Sequence, residues 1–347
     1  MCSGRCCKSY GIFTVTLLFI VAILLFVIIP VTFMFSASIQ KSIVFPTYLI
    51  DAKNYSDFEK YGITGVRNMY IDVSYPHSEN VTLGVWQILP MEIVSDIVKN
   101  EEYNFDGVLS NEKYNILLYL HGNGSDRTNS INLYELLREF FHIFAVDYRG
   151  YGDSTGFNLT DTNIVNDMAF IYKWLRERSR AKIFVWGHSL GTGVATHLIS
   201  DLKKSNECVA GLVLEAPFTS VVDVMKTSPL IKFYSFLPWL HTTILNPIIK
   251  RDINFDSKTY ITNVDCPIMI LHAEDDEAIP FSIATELYYT AVNHRNFTYQ
   301  GNVTYHLYSP NGYGHMCLYL ETDLPHQIDV FVDQCLEFAK DRLSERS

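Results

Sequence analysis

Basic residues are scarce in this chain: 27 Lys and Arg stand against 38 Asp and Glu, a formal charge of −11 over 347 residues. No basic stripe or base-stacking module offsets that balance, which argues against nucleic acid as a partner. Metal-ligand spacing is missing as well. The seven cysteines divide into Cys2, Cys6 and Cys7 near the start and the widely separated Cys208, Cys266, Cys317 and Cys335. Neither set has the grouping of a metal site, so no metal or other cofactor is expected. A disulfide among the last four is permitted, though sequence does not pair them. The first three suit either palmitoylation or free thiols. Internal repeats and low-complexity tracts are not evident.

Charge is absent altogether from one long stretch. Gly11 to Phe35 reads GIFTVTLLFIVAILLFVIIPVTFMF, enough apolar chain to cross a bilayer with some tilt. Pro30 lies within it, which membrane helices tolerate. The competing reading is a cleaved signal peptide, since Ser36-Ala37-Ser38 resembles a small-residue cleavage site, but a signal core spans only about 7–15 residues. We therefore expect residues 1–10 as a cytoplasmic segment, 11–35 as a transmembrane helix and 40–347 as the main domain. Arg5 and Lys8 precede the run and only Lys41 follows it before Asp51, which points the main domain to the lumen or the exterior. Acceptor sequons at Asn54, Asn80, Asn158, Asn296 and Asn302 agree with that orientation. A sixth, at Asn123, is discounted for a reason given below.

Beyond the anchor, VRNMYIDVS (66–74) and VTLGVWQILP (81–90) read as two strands, followed by a polar, acidic surface excursion over 91–112. Then strands alternate with helices. NILLYL (115–120), HIFAVDY (142–148), KIFVW (182–186), GLVLEAP (211–217), PIMILHAEDD (267–276) and NVTYHLYSP (302–310) are the apolar runs. Helical patterns occupy 130–141, 162–178 and about 325–343. Such alternation predicts a mostly parallel sheet covered by helices on both faces. Residues 218–258 interrupt the rhythm with a long, aromatic-rich segment, too long for a plain crossover and suited to a cap over the sheet's carboxyl edge.

The chemistry centres on KIFVWGHSLGTGVATHL (182–198), which contains Gly187-His188-Ser189-Leu190-Gly191. The G-x-S-x-G pattern alone is weak, but between a strand and a helix it lifts a serine hydroxyl above the sheet. Its partners should lie at other strand ends. Asp276, in the D-E-A-I-P that precedes the next helix, is the expected carboxylate, with Asp275 as its rival. His315, in the glycine-rich NGYGHMCLY loop after the last strand, is the expected base. The order Ser189, Asp276, His315 is the one expected on the α/β-hydrolase fold. The Leu190 N–H and the loop His121-Gly122-Asn123-Gly124, through Asn123, would form an oxyanion hole. A glycan on Asn123 would block that hole. His121 and His188 read as structural.

Taken together, LYLHGNG (118–124), DYRGYGDSTG (147–156), WGHSLGTGVAT (186–196), LHAEDD (271–276) and GYGH (312–315) resemble the α/β-hydrolase superfamily. Within it, they resemble the single-pass membrane lysophosphatidylserine and monoacylglycerol lipases. The resemblance implies a serine hydrolase with Ser189, Asp276 and His315 in the catalytic positions. It implies a lipid substrate and a domain facing the endoplasmic reticulum lumen or the cell exterior. Two departures stand out: HGNGSDR in the oxyanion loop, and the unmatched residues 91–112. Lys226, Lys232, Lys250 and Arg251 in or beside the cap are either a phosphate-headgroup site or a solvated fringe. Competing readings are a broad monoacylglycerol lipase, an acyl-protein thioesterase, an acyltransferase using the same acyl-enzyme, and a non-catalytic membrane receptor on the same fold.

Overall fold

In a computed structural model, residues 4–75, 79–96 and 103–344 are described. Eight strands form one sheet: β1 (Val66–Val73), β2 (Val81–Ile88), β3 (Ile116–Leu120), β4 (His142–Val146), β5 (Ile183–His188), β6 (Gly211–Glu215), β7 (Ile268–Ala273) and β8 (Val303–Tyr308). Their order across the sheet is β1-β2-β4-β3-β5-β6-β7-β8. β2 runs antiparallel to both its neighbours, and from β4 onward every pairing is parallel. Parallel strands covered on both faces must be apolar throughout, and Ile116, Leu117, Leu118, Tyr119 and Leu120 are all buried. Alternate residues feed opposite cores. Ile116, Leu118 and Leu120 join the helix Leu190–Lys204 on one side, while Leu117 and Tyr119 meet the helix Leu324–Ser344 on the other.

Each expected strand is present within a few residues, but three expectations need adjustment. The helix expected over 130–141 is only Ile131–Leu137, because the buried Arg138 turns inward to donate Nε–H to the Leu89 carbonyl at 3.0 Å. The excursion 91–112 is not wholly a surface loop. It contains helices Met91–Asp96 and Phe105–Leu109, and Leu109 is buried. Arg67 of β1 clasps it by pairing with Asp106 at 2.6 Å and lying over the Phe105 ring. Residues 97–102 lie outside the described residues. Cys208, Cys266, Cys317 and Cys335 are all free thiols. Cys2 and the side chains of Cys6 and Cys7 lie outside what is described.

The charge-free run is helical: it begins within the helix Gly4–Ile23, continues through a π-helical turn Leu24–Ile28 and ends with Ile29–Phe35. Its apolar part, Ile12–Phe35, is long enough and apolar enough to cross a membrane, with a mean hydropathy of 3.3. Ser36 ends it in an extended conformation and caps the next helix, Ala37–Val44, its hydroxyl accepting from the Ile39 amide. Pro30 carries no N–H, so the helix has one donor too few for the carbonyls of Leu25 and Phe26. Both are satisfied from some two hundred residues away. The Tyr234 hydroxyl donates to the Leu25 carbonyl at 3.1 Å and the Trp239 indole to the Phe26 carbonyl at 3.0 Å. The donors belong to the segment 218–258, which folds as short helical pieces Val221–Thr227, Pro229–Tyr234, His241–Leu245 and Asn246–Lys250.

Candidate active site

Four strand ends converge at the carboxyl edge of the sheet. β5 delivers Ser189 as the residue before the helix Leu190–Lys204, with φ 51° and ψ −117°. A non-glycine residue in that region costs about 1–3 kcal/mol and persists only where its surroundings impose it. Here they do. The Ser189 amide donates to the Glu215 carbonyl of β6 at 2.9 Å, and its own carbonyl accepts from the Thr192 amide at 2.9 Å. The flanking glycines admit no side chain: a Cβ on Gly187 would stand 2.3 Å from the Gly191 carbonyl oxygen, and one on Gly191 would stand 2.0 Å from that of Leu120.

The two candidate carboxylates after β7 divide their work. Asp276 Oδ2 accepts from His315 Nδ1 at 2.7 Å, while its Oδ1 takes the amides of Ala278 and Ile279 at 2.8 and 2.9 Å. Burial opposes its ionisation, but the His315 hydrogen bond and charge outweigh it and hold the carboxyl below the ordinary aspartate value. Asp275 instead accepts the amides of Gly312 and Gly314 at 2.8 and 3.0 Å. It thereby holds the loop on which His315 stands. Gly312 and Gly314 have φ of 80° and 52°, a backbone path that glycine follows without strain. Because Nδ1–H is donated to Asp276, Nε2 of His315 is left as the acceptor.

Two further histidines beside the site, His188 and His121, are fixed donors. His188 packs beside His315 with ring centroids 5.0 Å apart, and its Nε2–H donates to the His315 carbonyl at 2.9 Å. Burial, then the charge of His315, pushes its pKa down to about 4, so it is neutral at neutral pH. His121 is also buried and lowered to about 4. Its Nδ1–H reaches the Gly122 carbonyl at 2.8 Å, and its own carbonyl accepts the Tyr148 hydroxyl at 2.9 Å. These bonds fix the loop after β3. Asn123 of that loop accepts from the Tyr151 hydroxyl at 2.8 Å. The departure Ser125-Asp126-Arg127 gives this loop a buried base: Arg127 pairs with Asp147 and, at 2.8 Å, with Asp153, while Lys53 holds Asp126 at 2.7 Å.

Ser189, Leu190, Asn123 and His315 face one cavity of about 920 Å³. Ser189 and His315 are not hydrogen-bonded to each other in this state, a contact that commonly tightens only with substrate bound. The cavity walls are largely apolar: Phe218, Val221, Met225, Leu230, Ile231 and Tyr234 come from the 218–258 segment. Ile29, Phe33, Ile39, Ile43 and Val44 come from the N-terminal helices. That second wall was not anticipated from sequence, where the apolar run reads only as an anchor; the bare signal was Pro30. Among the described residues the walls hold no Lys or Arg, and their one charged side chain is Glu277. The basic cluster considered as a headgroup site is thus not gathered at the cavity. Lys226 is paired with Asp223 at 2.9 Å, and Lys232, Lys250 and Arg251 are exposed elsewhere. Asn54, Asn80, Asn158, Asn296 and Asn302 are all exposed.

This strand order, with a serine on a strained strand-to-helix turn, defines a serine ester hydrolase of the α/β-hydrolase class. The model of a family described as serine aminopeptidase, S33, matches residues 111–260. An esterase of Pyrococcus furiosus shares the fold with a TM-score of 0.55 at 17% identity, over 82% of this chain and 96% of that one. A membrane phospholipase A described as a bacterial virulence factor superposes with a TM-score of 0.54 at 15% identity, over 94% and 99%. Lysophosphatidylserine lipase ABHD12 of Danio rerio is 31% identical over 340 residues, covering 95% of this chain and 86% of that protein. Protein ABHD12B of Homo sapiens is 33% identical over 234 residues, 64% of each. The chain belongs to the ABHD12 family.

Proposed function

We propose that this chain is a membrane-anchored lipase that releases the fatty acid of a lysophospholipid, lysophosphatidylserine first among them, through Ser189, His315 and Asp276. The observation that carries the reading is a serine and an Asp-bound histidine facing one apolar cavity, with Asp276 and His315 2.7 Å apart. Relatives named lysophosphatidylserine lipase supply the substrate. Ser189 Oγ attacks the acyl carbonyl as its proton passes to His315 Nε2, and Asp276 stabilises the imidazolium. The amides of Leu190 and Asn123 receive the oxyanion. Collapse breaks the ester bond, and the proton leaves with the glycerophosphoryl alcohol. Water, deprotonated by the same histidine, then hydrolyses the acyl-enzyme.

A glyceride substrate is the second reading, favoured by a cavity without a cation and with Glu277 on its wall. Membranes carrying the wild type or Ser189→Ala, supplied with lysophosphatidylserine, lysophosphatidylcholine and monoacylglycerol, separate these readings by fatty-acid release. The expected outcome is fastest release from lysophosphatidylserine, with loss of about a million-fold in the variant. Equal or faster release from monoacylglycerol selects the glyceride reading, and release that survives Ser189→Ala rejects both.

We place residues 11–35 across the endoplasmic reticulum membrane with 40–347 lumenal. The exposure of the five sequon asparagines agrees with this; Asn123 is exposed too but lines the cavity, where a glycan would obstruct the site, and we leave it out. Glycosidase digestion of the cell-derived protein should increase its mobility, with Asn→Gln at each of the five exposed sites reproducing a step. An unglycosylated, cytosol-accessible domain would reverse the orientation.

A further inference from the structure

The contact between the apolar helix and the segment 218–258 fixes a depth. Phe26 packs against Phe233, Tyr234 and Phe236, with ring centroids 5.7, 6.0 and 5.4 Å away. It lies nine residues before the helix end at Phe35, a distance of about 14 Å along the axis. The apolar stretch has 24 residues and so measures about 36 Å, roughly 6 Å more than a hydrocarbon core of about 30 Å. Even if all the excess projects on the catalytic side, Phe26 remains about 8 Å inside the core. Side chains that touch it there are inside as well.

The sequence and exposure of that segment fit the same depth. From Pro229 to Ile249 the only Asp, Glu, Lys or Arg is Lys232, a side chain long enough to extend toward headgroups. Leu230, Phe233, Phe236 and Ile249 are 64, 53, 65 and 53% exposed, an apolar surface continuous with the exposed helix. The carbonyls that Pro30 leaves unpaired would be costly in hydrocarbon, and Tyr234 and Trp239 satisfy them.

We infer that residues 229–249 are seated in the same leaflet as the end of the apolar helix, latched to it through the Leu25 and Phe26 carbonyls, so that the cavity receives its acyl chain sideways from the bilayer. The partner of this surface is the leaflet itself. Ile29 and Phe33 from the helix and Leu230 and Ile231 from the cap together line the cavity, so its wall is continuous with that surface. An acyl chain therefore passes from lipid to the serine without crossing water. This rests on the membrane-anchored lipase reading, and its first test does not depend on activity.

The full chain is reconstituted into phosphatidylcholine vesicles brominated at mid-acyl depth, and flotation reports the anchor separately. Trp86 and Trp186 are fully buried and Trp174 is half-buried on the helix Asp161–Arg178, so Trp239 is the indole within reach of lipid. Brominated lipid is expected to quench the wild type and to quench Trp239→Phe far less. Equal quenching of both proteins, or quenching of Trp239 by aqueous iodide instead, overturns the inference. Phe236→Asp supplies the functional arm. Hydrolysis of bilayer-borne lysophospholipid should fall about tenfold while a short soluble ester is turned over within about twofold of wild type. Unaltered hydrolysis of the bilayer substrate by that variant counts against leaflet entry.

Discussion

Adjacent aspartates with different partners show how little of a residue's role lies in its identity. Asp275 and Asp276 share charge and lie side by side, and the sequence favours Asp276 only for its place at the start of the D-E-A-I-P that precedes the next helix. Their separation depends on which carboxylate meets His315 and which meets the Gly312 and Gly314 amides, a matter of loop direction. The difference is measurable. Asp276→Asn keeps the shape, but with its one oxygen held by the Ala278 and Ile279 amides it turns an NH2 toward His315 and favours the wrong tautomer, so kcat should fall about ten-thousandfold with KM little changed. Asp275→Asn keeps one acceptor oxygen for the loop amides, so its loss should be about tenfold to a hundredfold. Steady-state kinetics on one lipid substrate compares them, and equal losses would mean that the two carboxylates act as a unit.

The junction of β5 and β6 carries Ser189, the proposed nucleophile, and it buries an acid beside it. Glu215 ends β6, its carbonyl accepts the Ser189 amide, and its carboxyl takes the Trp186 indole N–H at 2.8 Å. Burial raises its pKa from 4.5 to about 7, against the opposing effect of the indole hydrogen bond. A raised carboxyl pKa means that the folded state holds the proton more tightly than the unfolded chain. Its contribution to stability is therefore greatest in acid and is lost as pH climbs from the ordinary glutamate value through about 7. Glu215→Gln keeps the acceptor without the charge. It should melt about 2–4 °C above wild type at pH 8 and show no gain at pH 5. Thermal unfolding at the two pH values checks this, and a gain independent of pH would remove the electrostatic cause. The strands themselves were legible because buried parallel strands must be short and apolar, and the elbow because G-x-S-x-G between strand and helix has a steric cause. The clasp of Arg67 on Phe105–Leu109 and the buried Arg127–Asp147 pair were not, since each joins charged residues that look solvated until a distant partner is known.

At the level of the assembled chain, the apolar N-terminal helices and the hydrolase domain wall one cavity, so in the proposed lipase tethering and substrate selection are coupled in the same residues. Sequence could show that 11–35 suits a bilayer. It could not show that residues 29–44 would wall the site, because that depends on contacts across two hundred positions. Ile43 is informative here: it lines the cavity and yet is 54% exposed, so a larger side chain can extend into the acyl space without displacing a packed core. Each methylene that enters the cavity contributes about 0.8 kcal/mol, or roughly fourfold in kcat/KM. In the wild type, kcat/KM should climb with acyl length until the apolar walls are filled. Ile43→Trp should end that climb at a chain several carbons shorter, with rates on short esters unchanged because Ser189, His315 and Asp276 are untouched. A series of acyl lengths on one headgroup, measured below the aggregation threshold, reads the position of the break directly. If both proteins break at the same length, the acyl chain lies along the 218–258 wall alone and the N-terminal helices contribute only attachment.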